Sequence, residues 1–174
     1  MTAVTSALSP SRSAQLIKAA VFGGLTGGLL DIVFAITLWT VRGATAERVL
    51  QSIASGLMGK AAFQGGWPVA ALGLFLHFFI SVAAASVYVA ASRRLPDLAR
   101  RPLLWGPLFG AAMFLAMNFI VLPLSQVGPP HFRWSTTPLD IGSHVLLFGP
   151  AIALWTRRLA PARDQRAGEM PISA

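Results

Sequence analysis

Four long apolar runs divide the chain, at about residues 16–40, 67–92, 103–124 and 138–157. Each is close to the roughly 20 residues an α-helix needs to cross the hydrocarbon core of a bilayer. Backbone groups in lipid must find partners within their own segment, and the short alternating segments of a barrel are missing, so helices are predicted. Ala44, Thr45 and Ala46 have the small side chains of a cleavage site, but the first run is far longer than the apolar core of a signal peptide. It reads as an uncleaved first span.

A different periodicity fills the connection between the first two runs. Val49, Leu50, Ile53, Ala54, Leu57 and Met58 recur at helical spacing, while Glu47, Arg48, Gln51, Ser52 and Ser55 take the other face. With Thr45 as N-cap and Gly59 as a stop, a short amphipathic helix is predicted at about 45–58. It is too short and too polar to span, so it lies on the outer interface or folds back over the bundle. A surface connector is the expected role and a lid over a pocket the alternative. The fold class is therefore all-α: an integral membrane four-helix bundle with an amphipathic interfacial helix between the first two spans. The termini, residues 1–14 and 159–174, are expected to be disordered. No internal repeat supports an inverted-repeat transporter.

Composition agrees with a lipid surround. Of 174 residues, 55% are hydrophobic and 11% charged, against about 25% charged in a soluble domain. The net charge of +8 does not point to nucleic acid, because the basic residues sit in short blocks beside apolar runs. Ten of the 14 lysines and arginines fall on the side of the termini: Arg12, Lys18, Arg93, Arg94, Arg100, Arg101, Arg157, Arg158, Arg163 and Arg166. Arg42, Arg48, Lys60 and Arg133 fall on the other. The positive-inside rule then puts both termini in the cytoplasm. Trp39, Trp67, Trp105, Trp134 and Trp155 all lie at predicted membrane boundaries, as aromatic belts do. There is no cysteine, which excludes disulfides, thiolate catalysis and Cys-based metal sites.

Few polar side chains interrupt the spans: Asp31, His77, Asn118 and His144, with Asp140 near a helix end. Counting along each run at the helical rise puts the first four roughly 3–7 Å outward of the span midpoints. The helices alternate in direction, yet these residues share one plane in the outer leaflet. Small residues accompany them. Gly23, Gly24, Gly27 and Gly28 form two overlapping GxxxG spacings that Asp31 extends, and Gly106 and Gly110 precede Asn118 at intervals of four. Gly73, His77, Ser81 and Ala84/Ala85 make a similar stripe. A common interior binding site of Asp31, His77, Asn118 and His144 is the inference.

Each residue also has a plainer role. Asn118 suits interhelical hydrogen bonding. Thr137, Pro138 and Asp140 resemble an N-terminal cap, and Asp140 can bond His144 four residues on. Each histidine alone suits a neutral packing residue. Asp31 is the hardest to explain structurally, since no lysine or arginine shares its depth; it pairs with His77 or His144 or takes up a proton. Gly149 and Pro150 are expected to kink the fourth helix.

No nucleotide-binding glycine loop, HExxH, GxSxG or hydrolase carboxylate pair is present. The outer loop from Gly128 to Trp134 holds two prolines, one His and one Arg, without metal-ligand spacing. An enzyme is the least favoured class.

Residues 51–57, Ala61-Ala62-Phe63 and Gly65-Gly66 carry a resemblance, with Leu76-His77-Phe78, residues 92–96, Asn118, Leu122-Pro123-Leu124, His144 and Leu147-Phe148-Gly149. Together they resemble a group of small four-span bacterial inner-membrane proteins without an assigned activity. The resemblance implies a bacterial inner membrane and brings no cofactor or catalytic residue.

Three functions are consistent with these features. The first is small-molecule or proton-linked binding and translocation through the polar site, with no cofactor. The second is a structural or accessory subunit whose glycine faces meet a partner membrane protein or a second copy. The third is a redox protein in which His77 and His144 ligate a b-type haem.

Overall fold

A computed structural model describes residues 11–129 and 132–160. Arg163, Arg166, His131 and most of the two terminal segments expected to be disordered lie outside the described residues. The chain forms α1 (Arg12–Val41), α2 (Ala46–Met58), α3 (Gly66–Ser92), the short α4 (Asp97–Arg100), α5 (Pro102–Leu124) and α6 (Thr137–Leu159). Helices α1, α3, α5 and α6 are long and apolar enough to cross a membrane. No strand occurs among the described residues.

Local chemistry sets the helix ends. α1 starts at Arg12 because the Ser11 hydroxyl accepts the Ala14 amide at 3.3 Å. Residues 12–14 are thus helical, which corrects their placement in a disordered terminus. The Thr45 hydroxyl accepts the Arg48 amide at 3.2 Å and opens α2. Gly59, at φ 58°, closes it.

α1 is the central helix. Gly23 and Gly27 face Ile152 and Phe148 of α6, while Gly24 and Gly28 face Val82 and Ser81 of α3. The two glycine pairs therefore serve two different neighbours. Similarly, Gly106 and Gly110 bring α5 against Pro150 and His144 of α6.

The bundle differs between its two ends. Near the described termini, Ala84, Ala85, Tyr88, Leu98, Phe148, Ile152 and Ala153 form an apolar core. There the Tyr88 hydroxyl donates to the Leu98 carbonyl at 2.9 Å, holding α4 beneath α3. At the opposite end, Ile32, Leu50 and Ala70 join α1, α2 and α3. Leu50 backs directly onto Gly73, so a side chain there would collide with α2. Gln51 Nε2 donates to the Gly66 carbonyl at 3.1 Å, and the Gln126 amide donates to the Gly56 carbonyl at 2.9 Å. α2 is folded back and bonded over the bundle rather than being a free surface connector.

The tryptophans divide in two. Trp67 and Trp134 are 63% and 97% exposed, as in a belt. Trp155 turns inward, stacking on Phe22 and donating Nε1 to Thr26 Oγ1 at 3.0 Å. Trp105 packs against the core near the termini, and Trp39 lines a cavity.

Candidate functional site

All four membrane-crossing helices and α2 enclose a cavity of about 290 Å³. Its polar lining is Asp31 from α1, Ser52 from α2, His77 and Ser81 from α3, Asn118 from α5, and Asp140, Ser143 and His144 from α6. Trp39, Met113, Phe114, Met117 and Phe148 are prominent among its apolar walls. Asp31, His77, Asn118 and His144 are thus brought around one space.

Within it, Asp31 and α6 form a connected group. Ser143 Oγ lies 2.8 Å from Asp31 Oδ1 and donates to it. His144 Nδ1 lies 3.5 Å from the same carboxylate oxygen. It also lies 2.9 Å from the Asp140 backbone carbonyl. A carbonyl has no proton, so Nδ1 carries it and the neutral His144 ring has its lone pair on Nε2. Asp31 and His144 remain 13% and 19% exposed, reached from the cavity. Asp31 therefore pairs with His144 and not with His77.

His77 is held differently. Its Nε2 donates to the Gly28 carbonyl at 2.8 Å, so its neutral ring is the opposite tautomer, with the acceptor on Nδ1. Ser81 Oγ donates to the His77 carbonyl at 2.8 Å. This interface depends on Gly28, whose missing side chain leaves room for Ser81.

Two expectations require correction. Asn118 does not bond between helices: its Nδ2 donates to the Phe114 carbonyl of its own helix at 2.9 Å. Thr137 and Asp140 do not form a cap. The N-cap residue is Thr136, no side-chain cap bond forms, and Thr137 Oγ1 instead accepts the Arg133 amide at 2.9 Å. Two adjacent threonines allow the helix to begin one residue earlier than the cap motif suggests. Asp140 lines the cavity, and its carboxyl group is within Coulombic range of His144, Asp31 and Arg42. Its bond to His144 runs through its backbone carbonyl.

Two features escape sequence reasoning. One is Ser143, the donor that ties Asp31 to α6; it looks like an ordinary small residue beside a histidine. The other is a pair of π-turns, Met117–Val121 in α5 and His144–Phe148 in α6. Each begins six residues before a proline, Pro123 or Pro150, whose missing amide removes a normal helical donor. Each turn places side chains on the cavity: Met117 and Asn118 from one, His144 and Phe148 from the other. Single π-turns within helices recur at functional sites.

A second cavity of about 310 Å³ lies beside the first and shares Trp39, Val49 and Ser52 with it. These three residues lie between the two spaces. Beside the second cavity the Arg48 guanidinium sits 4.8 Å from the Phe63 ring centroid.

With His77 Nε2 and His144 Nδ1 on backbone carbonyls, the ring nitrogens left as acceptors are His77 Nδ1 and His144 Nε2. The cavity, at about 290 Å³, is at the small end of the roughly 300–1,000 Å³ of ligand sites. Among the described residues, no group of three or more His, Asp or Glu side chains gathers for a metal. No protein family, curated protein or solved structure matches the chain.

Proposed function

We propose that this multi-pass membrane protein binds a small molecule in the cavity of its outer half and couples that binding to protonation at Asp31 and His144. The single observation that supports this best is the Asp31–Ser143–His144 group opening onto a cavity that also receives His77. An intramembrane carboxylate facing a space rather than a fixed cation is characteristic of binding sites and pathways. A bond network serving only to hold helices together would close on itself and leave no room beside it.

The basic flanks of the spans and the resemblance to four-span bacterial proteins favour the inner membrane, with both termini cytoplasmic. The cavity then faces the periplasmic half, roofed by α2. Translocation would require Trp39, Val49 and Ser52 between the two cavities to move apart, and the π-turns supply adjustable backbone around the same space.

The test is Asp31→Asn in protein reconstituted into vesicles. A proton-dependent uptake or binding signal present in the wild type should disappear while the variant remains folded. An unchanged signal would remove Asp31 from the function.

A further inference from the structure

The lining of the cavity says more about the ligand than that it is small. Two acidic residues line it, Asp31 and Asp140, and among the described residues no lysine or arginine does. Arg42 stands at the outer end of α1, donating to the Ser135 carbonyl at 2.8 Å, and acts electrostatically on Asp140. Among the described residues, no arginine pairs with Asp31. Its neighbours are the Ser143 hydroxyl and the His144 ring.

Among the described residues, the remaining titratable group on the cavity is His77 from α3. The residues contributed by α2 and α5 include none. An anionic ligand would meet two carboxyl groups without an arginine or lysine on the lining to receive it. A cation would meet Asp31, and the same lining offers an apolar body the rings of Trp39, Phe114 and Phe148. Met113 and Met117 add polarisable, adaptable surface.

We infer that the ligand is a small monoammonium compound with an apolar body, its charge on Asp31 and its body against Trp39, Phe114 and the two methionines. This rests on the cavity being a binding site, as proposed above. A bound ammonium and a proton on His144 are alternative counter-charges for Asp31, which would link binding to protonation. A cavity of about 290 Å³ stands at the lower end of small-molecule sites, roughly 300–1,000 Å³, so the compound is of single-ring size.

The test uses three probes of similar shape on the full chain in detergent: 2-phenylethylamine, 2-phenylethanol and 3-phenylpropanoate. Binding is followed by calorimetry and by tryptophan fluorescence, with Trp39→Phe identifying the responding residue. The expected result is saturable binding of the amine, at least tenfold tighter than the alcohol, with no binding of the acid. Asp31→Asn should weaken the amine at least tenfold, and Asp140→Asn should weaken it less. Circular dichroism and thermal unfolding check that both variants fold; if Asp31→Asn does not, Ser143→Ala, which retains the carboxylate, should weaken the amine selectively. Alcohol or acid binding as tight as the amine would overturn the cationic assignment while leaving a binding cavity. Failure of all three probes to bind would overturn both.

Discussion

Gly24→Ala tests the packing that brings the polar groups of α1 and α3 together. A Cβ at Gly24 would stand 2.5 Å from Val82 Cα, 2.8 Å from Val82 N and 2.9 Å from the Ser81 carbonyl oxygen. Ordinary contact begins at 3.4 Å, so α1 and α3 must separate by about 0.9 Å. All three obstacles are backbone atoms, and no side-chain rotation relieves them. Overpacking of this kind costs about 1–3 kcal/mol, or roughly five-fold to over a hundred-fold in the folding equilibrium. The same separation stretches the bond from His77 to the Gly28 carbonyl, now 2.8 Å, where interhelical membrane hydrogen bonds contribute about 0.6 kcal/mol on average. Gly142→Ala is the control, because nothing lies within 4 Å of a Cβ there; its effect should stay within about 0.5 kcal/mol. Equilibrium unfolding of both variants in mixed micelles provides the comparison. If Gly24→Ala is no more destabilising than Gly142→Ala, the close α1–α3 contact is wrong.

Other perturbations have equally definite outcomes. Ser143→Ala removes the donor to Asp31 and should destabilise the bundle by about 0.5–1.5 kcal/mol, the net contribution of an intramolecular hydrogen bond; no measurable change in the same unfolding assay would contradict that bond. Gln51→Ala removes a bond from α2 to the Gly66 carbonyl, so amide exchange within residues 46–58 should accelerate while α1 and α6 remain protected. Equal acceleration throughout the bundle would mean that α2 is not a separately held element. Because the chain lacks cysteine, Trp134→Cys should react with an impermeant maleimide in intact spheroplasts, and Arg94→Cys only after permeabilisation. The reverse pattern would invert the proposed topology.

The membrane-crossing helices were legible because their apolar runs are long enough to exclude other structures. α2 was legible in more detail, since its two faces differ in chemistry and Thr45 and Gly59 mark its ends. The rotation of the four long helices was less so. A helix apolar on every side, such as α5, does not record which face meets protein and which meets lipid. For this reason the contacts of Trp39, Trp105 and Trp155 were not legible, although their positions at the ends of the runs were. Asp31, His77, Asn118 and His144 could be placed at one depth, because depth follows from position along a span. Their partners could not, because bonds of 2.8 and 2.9 Å depend on helix rotation and on π-turns that shift the register. The folding back of α2 onto Gly73 likewise depends on a tertiary contact that α2's own periodicity does not encode.

The most direct test of the shared polar site is the protonation pattern of its two histidines. Solid-state NMR of 15N-histidine-labelled protein in bilayers distinguishes the two neutral tautomers, and His131→Gln assigns the third ring. The expected result is opposite tautomers: protonated Nε2 in His77, donating to Gly28, and protonated Nδ1 in His144, donating toward Asp140 and facing Asp31. Asp31→Asn should then shift the His144 resonances and leave those of His77 in place. The same tautomer at both residues, or a His144 signal indifferent to Asp31→Asn, would contradict a polar site built around Asp31 and His144.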